Sequence, residues 1–230
     1  MTNPIHNSIA RVLEQISGAC EQAERSPEDV RLMMVTKTVE AARIREALAS
    51  GQTLIGENKV QEINAKYDAL ADVAHDTHLI GHLQTNKIKD VIAQVSCIQS
   101  LDRVKLAHKL EQRLEFEDRT IDVLVQVNTS GEASKFGVAP EDTLALIEET
   151  LHCERIRIRG LMTIGANTTD ESRIRACFRS LREIQAQARD RFADRAQFDE
   201  LSMGMSGDMA LAIAEGSTLV RVGSAIFGAR

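Results

Sequence analysis

Apolar residues recur along the chain at helical and strand-like spacing in alternation. Ile5, Ile9, Val12, Leu13, Ile16 and Cys20 lie at helical spacing and predict an amphipathic helix that Ser26-Pro27 closes. A strand over 32–36 follows, then a helix carrying Ile44, Ala47 and Leu48, stopped by Ser50-Gly51. The second strand covers 53–56, with Val60, Ile63, Tyr67 and Leu70 on its helix. The third covers 78–81, and Ile88, Val91 and Ile92 predict another helix. The fourth covers 96–99, and Asp102 is placed to N-cap a helix with Val104, Ala107, Leu110 and Leu114. The fifth runs over 121–127. After a polar loop, a helix begins near Pro140 with Leu144, Ile147 and Leu151. The sixth covers 158–164, and Asp170 caps a long helix with Ile174, Cys177, Phe178, Leu181, Ile184 and Ala188 on one stripe. The seventh covers 200–203, with a short helix from Ser206 that turns Met209, Ile213 and Ala214 inward. The eighth covers 218–222, and Ile226-Phe227 follow.

Strands that alternate with helices imply a parallel sheet. About eight such units in 230 residues fit a single α/β domain over 1–230, a (β/α)8 TIM barrel with an extra N-terminal helix. An open doubly wound sheet is the alternative, but no G-x-G-x-x-G follows the first strand.

Composition narrows the function. A net charge of −6, no tryptophan and one tyrosine (Tyr67) argue against a nucleic-acid or membrane-surface binder. Arg155, Arg157 and Arg159 alternate with Ile156 and Ile158, as on a strand with one wet face. Cys20, Cys97, Cys153 and Cys177 are scattered, which indicates neither zinc nor a disulfide framework. No apolar run approaches the ~20 residues of a membrane helix, and no signal peptide is visible. A soluble, reduced, cytoplasmic protein is expected.

Candidate chemistry begins with Lys37, at the end of the apolar run Leu32-Met33-Met34-Val35-Thr36. Desolvation disfavours an ammonium and makes a lysine a nucleophile toward carbonyls. A lysine ending a strand is also commonly a solvated edge residue. The far end of the chain carries Ser202-Met203-Gly204-Met205-Ser206-Gly207 and Arg221-Val222-Gly223-Ser224. In such barrels, loops after strands seven and eight often hold phosphate. Glycines allow close backbone approach, and Ser206 and Ser224 can donate hydroxyls. The same glycines could serve tight turns, with Ser206 a helix cap. A carbonyl-reactive lysine beside a phosphate cradle points to a phosphorylated aldehyde, with pyridoxal 5'-phosphate (PLP) the leading candidate.

Barrel closure would put strand one beside strand eight, so these distant residues share one rim. Arg221 lies among apolar neighbours and needs a partner. It could face a pyridine nitrogen, or pair with a carboxylate such as Glu57 or Glu215. His78 and His82 straddle a strand end, not a helix, and do not make a metal pair. Lys135, in a polar loop, could reach an anion. Met162 and Met203 could pack against a ring, although barrel core is the commoner use.

Seven segments carry a resemblance over nearly the whole chain. They are 35–38 (VTKT), 56–62 (GENKVQE), 78–87 (HLIGHLQTNK), 127–129 (VNT), 159–164 (RGLMTI), 201–206 (LSMGMS) and 221–228 (RVGSAIFG). The chain resembles the YggS/PROSC family of pyridoxal phosphate homeostasis proteins. That implies a barrel like the alanine racemase N-terminal domain, with PLP as an internal aldimine. Lys37 matches the aldimine lysine, Ser206, Gly223 and Ser224 the phosphate binders, and Arg221 the arginine facing the pyridine nitrogen. Asn58 lies beside the ring, and Met203, His82, Ser202 and Gly204 complete the expected surroundings. Two departures, Thr38-Val39 for a Lys/Thr-Pro step and Ser224 for Thr, remove no needed donor.

The resemblance implies PLP supply and amino- and keto-acid balance, with PLP-dependent apoenzymes as recipients and a monomeric, non-catalytic carrier. An amino-acid racemase is the alternative. It needs a second base, which alanine racemases take from a tyrosine associated with a further domain, and Tyr67 falls on an outer helix. An arginine at the pyridine nitrogen also weakens carbanion stabilisation. A Schiff-base phosphosugar aldolase would share barrel, lysine and cradle, but such enzymes place the lysine on a later strand.

Overall fold

Eight short runs of apolar and β-branched residues pair in chain order. The computed structural model describes residues 3–228; the predicted 1–230 domain has its outermost residues outside that range. The strands are β1 (Arg31–Val35), β2 (Leu54–Glu57), β3 (Asp76–Leu79), β4 (Cys97–Leu101), β5 (Ile121–Gln126), β6 (Ile156–Met162), β7 (Glu200–Met205) and β8 (Leu219–Val222). All pair in parallel, and β8 pairs with β1 to close the barrel, Met33 opposite Arg221 and Met34 opposite Val222.

Side chains alternate between the two faces of each strand. Leu32, Met34, Val220 and Val222 face outward and join an apolar cluster with the helices; Leu79, Ile98, Val123, Leu161 and Met203 do the same farther round the barrel. The intervening positions face the barrel axis, where a small apolar group of Cys97, Leu124 and Met162 lies.

The helices are α1 (Pro4–Gln22), α2 (Ala41–Leu48), α3 (Val60–Leu70), α4 (Val104–Phe116), α5 (Thr143–Thr150), α6 (Glu171–Phe192), α7 (Met209–Ala214) and α8 (Ser224–Phe227). Asn3 caps α1 by accepting the Ile5 N–H, and Pro4 occupies the first turn, where no N–H is needed. The buried face of α1 is Ile5, Ile9, Val12, Ile16, Ala19 and Cys20; Leu13, expected on that stripe, is exposed. Helix α1 packs against α2, α7 and α8. Because α8 is a single turn, α1 fills the outer layer beside β8 and β1 that a full eighth helix would cover.

Several expectations are corrected. The segment after β3 is a 3-10 helix, Thr85–Asp90, followed by turns, although Ile88, Val91 and Ile92 are buried as the spacing required. Asp102 does not cap α4: Arg103 is the cap residue and makes no side-chain cap bond. The Asp102 carboxylate instead accepts from Arg103 and pairs with His82. Helix α7 begins at Met209 rather than Ser206, because the Asp208 carboxylate accepts the Met205 N–H at 2.6 Å and closes a turn first. Ala212, not Ala214, faces inward there.

Among the described residues no helix is long and apolar enough to cross a membrane. The α1 packing yields a prediction. Ile9 is 1% exposed between α1 and the barrel wall. Ile9→Ala is expected to lower unfolding free energy by about 2–5 kcal/mol, measured by urea denaturation.

Candidate functional site

The inward-facing residues at the C-terminal ends of the strands surround a cavity of about 570 Å³. Six of the residues singled out from sequence line it: Lys37, Asn58, Ser206, Arg221, Gly223 and Ser224. Positions 33, 35 and 37 share the inner face of β1 and its extension, so Val35 and Lys37 both reach the cavity while Thr36 turns outward. Asn58 is seated by Gly81, where a Cβ would lie 2.0 Å from the Asn58 carbonyl oxygen. Gly223 lets β8 pass close to β1: a Cβ there would lie 3.1 Å from the Val35 carbonyl oxygen. The Ser206 and Ser224 hydroxyls are 3.3 Å apart, so two donors converge beside Gly207 and Gly223.

Arg221 is buried and lies on the cavity wall. Neither expected carboxylate holds it. Glu57 bonds Thr36 and Lys66, and Glu215 accepts from Arg179 and forms ion pairs with Arg175 and Arg182. The guanidinium instead donates to the Thr163 carbonyl at 2.8 Å and the Ser202 hydroxyl at 2.7 Å. Ser202 donates to Gln99 Oε1 at 2.7 Å, and the Gln99 amide lies 2.8 Å from His78 Nδ1. With Ser202 as donor to Oε1, the Gln99 nitrogen donates to an unprotonated Nδ1, which places the His78 proton on Nε2. Burial lowers the Arg221 pKa to about 10, opposed by Asp208, so the group stays charged at neutral pH. Burial, with Arg31 adding, lowers His78 to about 3.

Four other expected residues do not line the cavity. Met203 faces outward into the apolar cluster between barrel and helices, as the two-residue period requires once Ser202 faces inward. Gly204 has φ +95°, and a Cβ there would lie 2.6 Å from the Ala212 Cβ, so it lets α7 approach β7. Ser202 is buried, accepting from Arg221 and donating to Gln99. His82 stacks on Phe136, ring centroids 4.0 Å apart, and pairs with Asp102. Lys135 bonds Glu132 and the Gly165 carbonyl in an adjoining groove. Arg155, Arg157 and Arg159 pair with Asp118 and Asp122 at the wet edge of β6.

Met162, Ile80 and Ile164 also line the cavity. Met162 reads from sequence as packing either against a ring or in the barrel core, whereas Ile80 and Ile164 carry the signal of any core residue and nothing marked them as an apolar wall. Gln99 was equally silent, although a polar residue between Ile98 and Leu101 in a buried strand is the kind of anomaly that flagged Arg221.

A primary amine, two converging hydroxyls, close-approach glycines, a guanidinium without a carboxylate partner and apolar walls suit a flat, anionic carbonyl compound bearing a phosphate. The Arg221 guanidinium and the hydroxyls of Ser206 and Ser224 face the cavity as donors, which fits an anion. No group of three His, Cys, Asp or Glu gathers as a metal site among the described residues.

Comparison with known proteins is consistent with this chemistry. The family described as alanine racemase, N-terminal domain, matches residues 13–230. A pyridoxal phosphate homeostasis protein of Aquifex aeolicus is 41% identical over 222 residues, 96% of each chain. PipY of Synechococcus elongatus, solved with PLP bound, is 34% identical with a TM-score of 0.85, covering 97% of this chain and 100% of that one. An alanine racemase of Clostridium difficile shares the fold at 15% identity and a TM-score of 0.76, covering 95% of this chain and 56% of that one.

The buried His78 makes stability depend on pH. Its proton is bound less readily in the folded than in the unfolded chain, so its contribution is complete above about pH 6.5. That contribution falls by about 1.4 kcal/mol per pH unit on acidification toward pH 3. Urea unfolding at pH 7 and pH 5 should show a smaller loss for His78→Asn than for the wild type.

Proposed function

The chain belongs to the pyridoxal phosphate homeostasis proteins, whose barrel is that of the alanine racemase N-terminal domain, and from that premise we propose that it carries PLP on Lys37 for intracellular supply. The observation that carries this reading is the convergence of Lys37, Arg221 and the Ser206–Ser224 pair on one cavity although the chain places them far apart.

When bound, PLP supplies an aldehyde that condenses with a primary amine and a pyridine ring that withdraws electrons. Lys37 is the residue assigned to the aldehyde carbon. Ser206, Ser224 and the backbone at Gly207 and Gly223 are assigned to the phosphate. Val35, Ile80, Met162 and Ile164, which line the cavity, would shield the ring from water. Arg221 is assigned to the ring nitrogen. A fixed guanidinium there donates and supplies no acceptor, so it cannot share a proton with that nitrogen. An unprotonated ring withdraws electrons weakly, which supports a carrier role over turnover.

A racemase reading requires a second acid/base facing the cavity. Tyr67 does not supply it: it sits on α3, 44% exposed, at a separate small pocket behind β2. The carrier role implies release of PLP to apoenzymes, with exchange at Lys37 as the controlling step.

Two outcomes are expected. Wild-type protein with added PLP should develop a visible absorption band and a borohydride-fixed adduct on Lys37, identified by mass spectrometry; Lys37→Ala should give neither. Ser224→Ala should weaken PLP binding by about tenfold, the loss of one hydrogen bond to a charged group. A wild type with no band at excess PLP would sink the assignment and favour the phosphosugar aldolase.

A further inference from the structure

The segment that presents Lys37 is a strained turn held from behind by charge. β1 ends at Val35, and the chain turns over 36–39 with the Val39 N–H donating to the Thr36 carbonyl at 3.0 Å. Thr38, next to Lys37, has φ +63°, a left-handed conformation that a β-branched residue rarely adopts. Such a conformation persists only where surrounding contacts over-determine it.

Those contacts come from two elements. The Glu62 carboxylate of α3 accepts the Thr38 N–H at 2.5 Å. Lys66, one turn farther along α3, donates to the Thr36 carbonyl at 2.9 Å, to Glu62 at 3.1 Å and to Glu57 at 2.7 Å. Glu57, at the end of β2, also accepts the Thr36 hydroxyl at 2.7 Å. Thus the backbone on both sides of Lys37 is tied to Lys66 and Glu62, and Glu57 holds the Thr36 hydroxyl and Lys66, all on the outer face of the barrel. None of the three charged residues lines the cavity.

We infer that Lys66, Glu62 and Glu57 are positioning residues that hold the turn around Lys37 so that its amine meets a carbonyl in the cavity. The network is costly on its own terms. Glu57 is 1% exposed with Oε2 unpartnered, and burial raises its pKa despite the opposing bonds from Lys66 and Thr36. Burial pushes Glu62 up too, but the Thr38 amide and Lys66 outweigh it and the net shift is down. A charge cluster kept at that cost, with each member bonded to the Lys37 turn or to one another, fits orientation of a reactive group.

The inference rests on Lys37 being the carbonyl-reactive lysine. In the step concerned, the Lys37 amine adds to the aldehyde carbon and water leaves as the C=N bond forms, with no redox change. Pyridoxine 5'-phosphate keeps the ring and phosphate but has an alcohol in place of the aldehyde. It therefore reports binding without the covalent step.

The test is to measure, for wild type, Lys66→Met and Glu62→Ala, both the rate of adduct formation with PLP and the dissociation constant of pyridoxine 5'-phosphate. Thermal melting confirms folding, and Glu62→Ala carries the test if Lys66→Met does not fold. Adduct formation is expected to slow by about tenfold or more, as small misplacements of reacting groups do. Pyridoxine 5'-phosphate binding should stay within about twofold, below the change expected from losing one hydrogen bond. Glu62→Gln, which keeps an acceptor for the Thr38 amide, should recover most of the rate. Unchanged adduct rates in both variants overturn the inference. So does a parallel loss of both quantities, which would mark a merely structural role. Absence of adduct in the wild type overturns the proposed function and this inference together.

Discussion

Pairing of β8 with β1 is the constraint on which the rest depends. It aligns Met33 with Arg221 and Met34 with Val222, so each strand's inner face is set relative to the other. From that register, Lys37 and Gly223-Ser224 emerge side by side at one rim. A slip of one residue would turn Arg221 outward into the apolar layer and Val222 inward. Gly223 permits the close approach that this pairing needs just beyond the last paired residues, and the same closeness makes the backbone available to an anion. Closure and ligand geometry are therefore one requirement.

Inside the closed wall, polarity is arranged in sequence from Arg221 through Ser202 and Gln99 to His78. Each link donates toward the histidine, so no hydroxyl or amide in the row is left to choose between orientations. The row links β8, β7, β4 and β3, and a hydroxyl and a carbonyl, not a carboxylate, hold the guanidinium. On the other side of β1 and β2, carboxylates are present but committed to Lys66. The two faces of the same wall thus separate the charges: cation toward the cavity, carboxylates bound to Lys66 toward the helix.

The fold was legible because alternation of strand and helix periods survives even where boundaries drift. Arg221 was legible because a charge among Leu219, Val220 and Val222 demands an explanation. Met203 was misread because motif proximity was given more weight than the two-residue period. With Ser202 facing in, Met203 had to face out. Asp102 carried the ordinary signal of a cap, and only the tertiary fold supplied His82 as a partner that competes with that role, beside its neighbour Arg103. Gln99 and His78 were silent for a different reason. A polar residue in one strand has no readable partner until the height of every strand around the barrel is known.

Helix α1 occupies the outer layer beside both β1 and β8. The elements made first during synthesis are therefore completed by those made last. β1 lacks one of its two neighbouring strands, and the cavity lacks the wall that carries Arg221, Gly223 and Ser224, until β8 has been made. The cavity is consequently a property of the finished barrel, complete only once the last strand has paired with the first.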